Sequence, residues 1–111
     1  MKVEQKGHTT IIKETKGDVN IFVENISKQY HQSFVNQNLI LDVSSDGNFK
    51  IENLNLFNDL TKKHFKAKKS LIIVAENIDF NNVPDTLIVV PSVLEAHDII
   101  EMDEIERDLG F

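Results

Sequence analysis

The sequence predicts a single α/β domain with a mixed, mostly parallel sheet, an antiparallel edge near the N-terminus and about three main helices. Three observations lead there. The apolar runs Leu39 to Val43, Ser70 to Val74 and Thr86 to Val90 have the length and β-branched content of strands covered on both faces. Between and after them, apolar residues recur at offsets of three and four, the period of a helix with one buried face. Strands that alternate with helices in this way favour parallel pairing.

The chain opens with Val3 to Gln5 and Thr9 to Glu14, two β-prone runs parted by Gly7-His8 and read as a hairpin or one bent strand, closed by Lys16-Gly17. Asp18 is a good N-cap for the first helix, because its carboxylate can accept an otherwise orphaned backbone N–H. Val19, Phe22, Val23, Ile26, Tyr30 and Phe34 follow at helical spacing to about Val35. Asn36-Gln37-Asn38 breaks the pattern before Leu39 to Val43, which is expected at the centre of the sheet.

A second helix begins between Lys50 and Leu54 and ends near Lys66; Leu56, Phe57, Leu60, His64 and Phe65 share a face. After the Ser70 strand, Ala75 to Asp85 has room for a single helical turn at Asp79 to Val83, stopped by Pro84. Pro91 ends the last strand. Ser92-Val93-Leu94-Glu95 has the form of a capping box, with the serine accepting from the N3 amide and Glu95 reaching back. The last helix runs from Val93 through Ala96, Ile99, Ile100, Ile105 and Leu109, with room for a kink near Met102 and a stop at Gly110.

A chain of 111 residues supports one core, so residues 1–111 form one domain. It has no cysteine, which removes disulfides, thiol catalysis and thiolate metal sites and fits a reducing cytoplasm. The first residues lack the apolar core of a signal peptide, and no apolar run approaches the ~20 residues that span a bilayer. A cytoplasmic protein without a membrane anchor is expected. The net charge of -6 sits entirely in residues 92 to 111, where seven carboxylates face Arg107 alone. Such an ending repels phosphate backbones and prefers basic protein surfaces, so nucleic acid is not the expected partner.

The residues that carry chemistry form no catalytic constellation. His8, His31, His64 and His97 have no metal-ligand spacing, so no metal or other cofactor is expected. His64 reads as a residue flanking a core face and His97 as one on a helix surface. Asp42 and Asp46 straddle a strand end, where α/β folds bind ligands, yet neither a third acidic ligand nor a phosphate loop accompanies them. Lys62, Lys63, Lys66, Lys68 and Lys69 surround Phe65 and offer phosphate contacts, but cations at a helix C-terminus are first of all stabilised by its dipole. In the acidic ending, Met102, Ile105, Leu109 and Phe111 make an apolar stripe, expected to pack on the chain's own sheet rather than on a partner.

In element order the chain resembles a STAS domain, the fold of bacterial anti-sigma factor antagonists. Leu39-Ile40-Leu41-Asp42-Val43 resembles the family's central strand, followed by the helix from about Glu52 to Phe65 and the strand Ser70 to Val74. The ending Thr86 to Ala96 is similar to the family's last strand and a helix opening Ser/Thr-x-x-Glu-Ala. Family members that work as partner switches carry an Asp-Ser-Ser-Gly-like motif at the helix after the central strand, with a phosphorylated serine. Superposing the strands puts Lys50-Ile51-Glu52-Asn53 there, with Glu52 at the phosphoserine place. The resemblance implies a non-enzymatic regulatory module that docks a protein, for example an anti-sigma-like kinase, through Ser44, Ser45, Asp46, Glu52, Asn53 and Asn55. Ser44 and Ser45 are the weaker phosphoacceptor candidates. The ending Ile99 to Phe111 is also similar to small bacterial chains labelled ribonuclease Z, though that enzyme's H-x-H-x-D-H motif is absent. The alternative it implies is an accessory factor of RNA processing that uses the lysines at 62 to 69.

Overall fold

Gly7 turns the chain in a left-handed conformation (φ +58°) that glycine alone adopts without strain, and on either side of it lie β1 (Lys2–Lys6) and β2 (Thr9–Lys13), an antiparallel hairpin. The computed structural model describes residues 1–110. β3 (Asn38–Asp42), β4 (Leu71–Val74) and β5 (Val89–Val90) then add in parallel, each beside the last, so the sheet order is β1-β2-β3-β4-β5. β3 is central and buried along its whole length, as its unbroken apolarity predicts.

The order of the strands decides the layers. Crossovers between parallel neighbours are right-handed, so three that step in one direction must pass over the same face of the sheet. Here α1 (Val19–Gln29), α2 (Asn58–Lys66) and the β4–β5 link all pack there, placing Phe22, Ile26, Phe57, Leu60 and Leu87 against Leu39, Leu41 and Ile73. The alternate strand residues Ile11, Ile40, Ile72 and Val74 point the other way. α3 (Val93–Asp108) covers them with Ala96 and Ile100.

Local chemistry sets the ends of these elements. Asp18 Oδ1 accepts from the Ile21 amide at 3.2 Å and Ser92 Oγ from the Glu95 amide at 3.2 Å, so both predicted N-caps are present; the return bond from Glu95 is not formed. α1 passes into a π-helical turn, Tyr30–Phe34, before Val35. The segment before α2, Ile51–Phe57, is 3-10 helical, and a 3-10 turn at Phe80–Asn82 is capped by Asp79. Gly110 ends the last helix with φ +82°.

One expectation is corrected. Thr86 to Val90 is not a strand covered on both faces: β5 is the sheet's edge, pairs with β4 only at Val89 and Val90, and leaves Thr86 and Ile88 exposed. α3 continues through Met102 as one helix of 16 residues. No helix among the described residues is long and apolar enough to cross a membrane.

Candidate functional site

The strand ends at Asp42 to Val43 open into the loop and 3-10 segment that hold the residues singled out from sequence. Asp42 and Asp46 are both buried, and each carboxylate binds its own loop. Asp42 Oδ1 accepts from the Ser44 amide at 2.9 Å and the Ser44 hydroxyl at 2.6 Å; Asp46 Oδ1 accepts from the Asn48 amide at 2.9 Å. These are side-chain turns of the kind that aspartate favours, and they fix the backbone of residues 42 to 48. Phe49 then tucks against Phe57, with ring centroids 6.5 Å apart, and anchors the far side of the loop. Asn53 closes the 3-10 segment: its Oδ1 accepts from the Lys50 amide at 2.8 Å, while its own amide donates to the Lys50 carbonyl at 2.9 Å.

What remains pointing outward is Ser45, Glu52 and Asn55, all exposed, with Ser44 half-buried. Among the described residues no hydrogen bond joins Ser44, Ser45 or Asp46 to Glu52, Asn53 or Asn55, so the edge is two adjacent pieces, each held by its own contacts. Ser44 is a poor phosphoacceptor here. Its hydroxyl is engaged by a buried carboxylate, and a phosphate of -1.5 to -2 charge would be set beside it. Ser45 is not so hindered. Beside this edge Glu14, also buried, folds the β2 exit by accepting from the Lys16 and Gly17 amides. No group of three or more potential metal ligands occurs among the described residues.

The lysines lie at the other end of the sheet. Lys62, Lys63, Lys66 and Lys68 are exposed, Lys69 is half-buried, and Phe65 stands 81% exposed among them. Phe65, Lys66, Lys68 and Lys69 border a groove of about 850 Å³ whose opposite wall is the acidic end of α3, including Asp103 and Glu106. A phosphate backbone laid there would meet carboxylates as well as lysines.

Sequence reasoning missed a polar cluster at the starts of β3 and β4. Asn38, fully buried, accepts through Oδ1 from the Ser70 amide at 3.0 Å and from Arg107 Nη2 at 3.2 Å. The Ser70 hydroxyl donates to Asp103 at 2.7 Å and accepts from Arg107 Nη1 at 3.1 Å. The available signal was a single cation in an acidic ending, together with two polar residues opening apolar strands. This cluster also corrects the expected packing of the C-terminal stripe. At its end α3 turns Asp103 and Arg107 toward the sheet, and Met102, Ile105 and Leu109 are 62%, 53% and 67% exposed. Phe111, the last member of that stripe, lies outside the described residues.

Two histidines also depart from expectation. His64 is fully buried rather than flanking the core, with Nδ1 2.7 Å from the Tyr30 hydroxyl and Nε2 2.7 Å from the Gln37 carbonyl. A carbonyl only accepts, so Nε2 carries the proton and Nδ1 accepts from the tyrosine. Burial pushes the His64 pKa down to about 4. His97 is half-buried, with Nε2 sealed from solvent and without a hydrogen-bond partner among the described residues. A scan against protein-family models finds no match for the chain, and a search of curated proteins finds none.

Proposed function

We propose that this chain is a non-catalytic, protein-binding regulatory module of STAS type that docks its partner through the edge from Ser44 to Asn55. The observation that carries the reading is the use of polar groups at that edge. Asp42, Asp46 and Asn53 are engaged in shaping the backbone, and the Ser44 hydroxyl is spent on Asp42, which leaves Ser45, Glu52 and Asn55 exposed at the edge. A preformed polar surface suits recognition, because little conformational freedom is lost on docking. The reading is supported by the element order on which the STAS resemblance rests, a hairpin and then strands that alternate with helices.

In this reading Glu52 holds a permanent single negative charge where partner switches carry a serine, so the module does not toggle at that position. The partner is a protein of the anti-sigma-like kinase class. The test is capture from native lysate, identification by mass spectrometry, and titration of the purified partner against wild type, Ser45→Lys and Glu52→Lys. Loss of at least tenfold in affinity in both variants supports the edge as the docking surface. Unchanged affinity, or RNA as the captured species with affinity that collapses between low and physiological salt, overturns it.

A further inference from the structure

α3 has two faces of opposite orientation, and among the described residues nothing covers one of them. At about 100° per residue, Ala96, Ile100, Asp103 and Arg107 share the side turned to the sheet, whereas Leu94, Met102, Ile105 and Leu109 fall within an arc of about 80° on the opposite side. The packing agrees: Ala96 and Ile100 are buried, and the four outward residues are 53% to 73% exposed. The outward arc carries Leu94 in the first turn and Met102, Ile105 and Leu109 along the last two turns of the helix.

The charges around this arc say what fits it. Asp98 lies within the arc, Glu101 and Asp108 border one side, Glu95 and Glu106 the other, and all five are exposed. Arg107, the one lysine or arginine of α3, is turned inward and held by Ser70 and Asn38. The outward half of the helix therefore carries four large apolar side chains with Asp98 among them, and is anionic on both flanks. Anionic lipid and nucleic acid are repelled by those flanks. A second α3 would bring five carboxylates of each copy together. The chain's own lysines at 66, 68 and 69 already face Asp103 and Glu106 across the groove at the sheet edge.

We infer that the outward face of α3 is a docking helix for another protein, one that presents an apolar groove rimmed by lysine and arginine. The mode is a helix laid in a groove, with Leu94, Met102, Ile105 and Leu109 as anchors. The flanking carboxylates pair with the basic rim, favouring rapid association and rejecting acidic grooves. This surface is separate from the Ser44 to Asn55 edge and does not depend on it.

The test places a photo-crosslinking amino acid at Met102, and in a second protein at Lys28 on the exposed side of α1, and irradiates each full chain in native lysate. Cross-linked peptides are mapped by mass spectrometry, and the protein identified is purified and titrated against wild type, Ile105→Asp and the double variant Glu101→Lys, Asp108→Lys. The inference expects a protein linked from position 102 and not from 28, through a segment whose apolar residues are flanked by lysine or arginine. It expects affinity at least tenfold weaker for both variants, with melting temperatures within a few degrees of wild type, since the altered residues are exposed. Cross-links to a second copy, to lipid or to an acidic surface overturn it, as do equal yields from both positions, no yield, or unchanged affinity in the variants.

Discussion

The Tyr30 hydroxyl and His64 Nδ1 lie 2.7 Å apart in the core, joining the π-helical turn after α1 to the last turns of α2. The contact fixes the histidine in its Nε2-protonated form and gives the buried phenol its acceptor, so each polar group answers the other's desolvation. Removing one partner leaves the other unsatisfied. Tyr30→Phe is expected to cost about 1–3 kcal/mol of stability, measured by urea unfolding at neutral pH.

The same histidine makes stability depend on pH. An unfolded chain takes up the His64 proton near pH 6.5, whereas the folded chain, whose pKa is lowered to about 4 by burial, refuses it. The unfolded state therefore binds more protons between those values, and stability falls as pH drops from about 7 to 4. The full shift corresponds to about 3 kcal/mol. Unfolding at pH 7 and pH 4 of wild type and His64→Gln isolates this contribution, because the titration of the carboxylates is common to both. The variant should lose less stability than wild type over that interval.

Asp18 and Ser92 each accept the backbone amide three residues ahead. Replacing either by alanine is expected to cost about 1 kcal/mol, measured by chemical unfolding. A loss near zero in both contradicts their role as caps.

These caps were legible from sequence because capping is local, and so was β3, whose five buried residues need no knowledge of neighbours to be read as a central strand. The edge strand was not. Thr86 to Val90 has the same composition as a central run, and its exposure depends on β5 being the last strand added. The fate of α3 was hidden for another reason. Ala96 and Ile100 on one side, and Ile105 and Leu109 on the other, are all compatible with one helical pattern when the offsets are loosely counted, and their separation needs the position of the sheet. At the candidate edge the sequence supplied the residues but not their tasks. That Asp42 and Asp46 bind their own loop follows from a fold in which they are buried.

Arg107 reaches from α3 to Ser70 and Asn38 and holds the helix end over the starts of β3 and β4. Arg107→Leu removes two charge-assisted hydrogen bonds and is expected to cost about 2 kcal/mol. Amide exchange of residues 103 to 109 should accelerate, while that of β3 follows only the global loss. Equal acceleration in both regions contradicts a local tether.

The most direct measurement of the proposed role is calorimetric titration of the captured partner against wild type, Glu52→Gln and Glu52→Ser. If the edge docks a protein that reads the charge at position 52, both variants shift affinity in the same direction and Glu52→Gln reproduces most of the change. Wild-type affinity in both variants would show that Glu52 serves only the first turn of its 3-10 segment, contradicting the account.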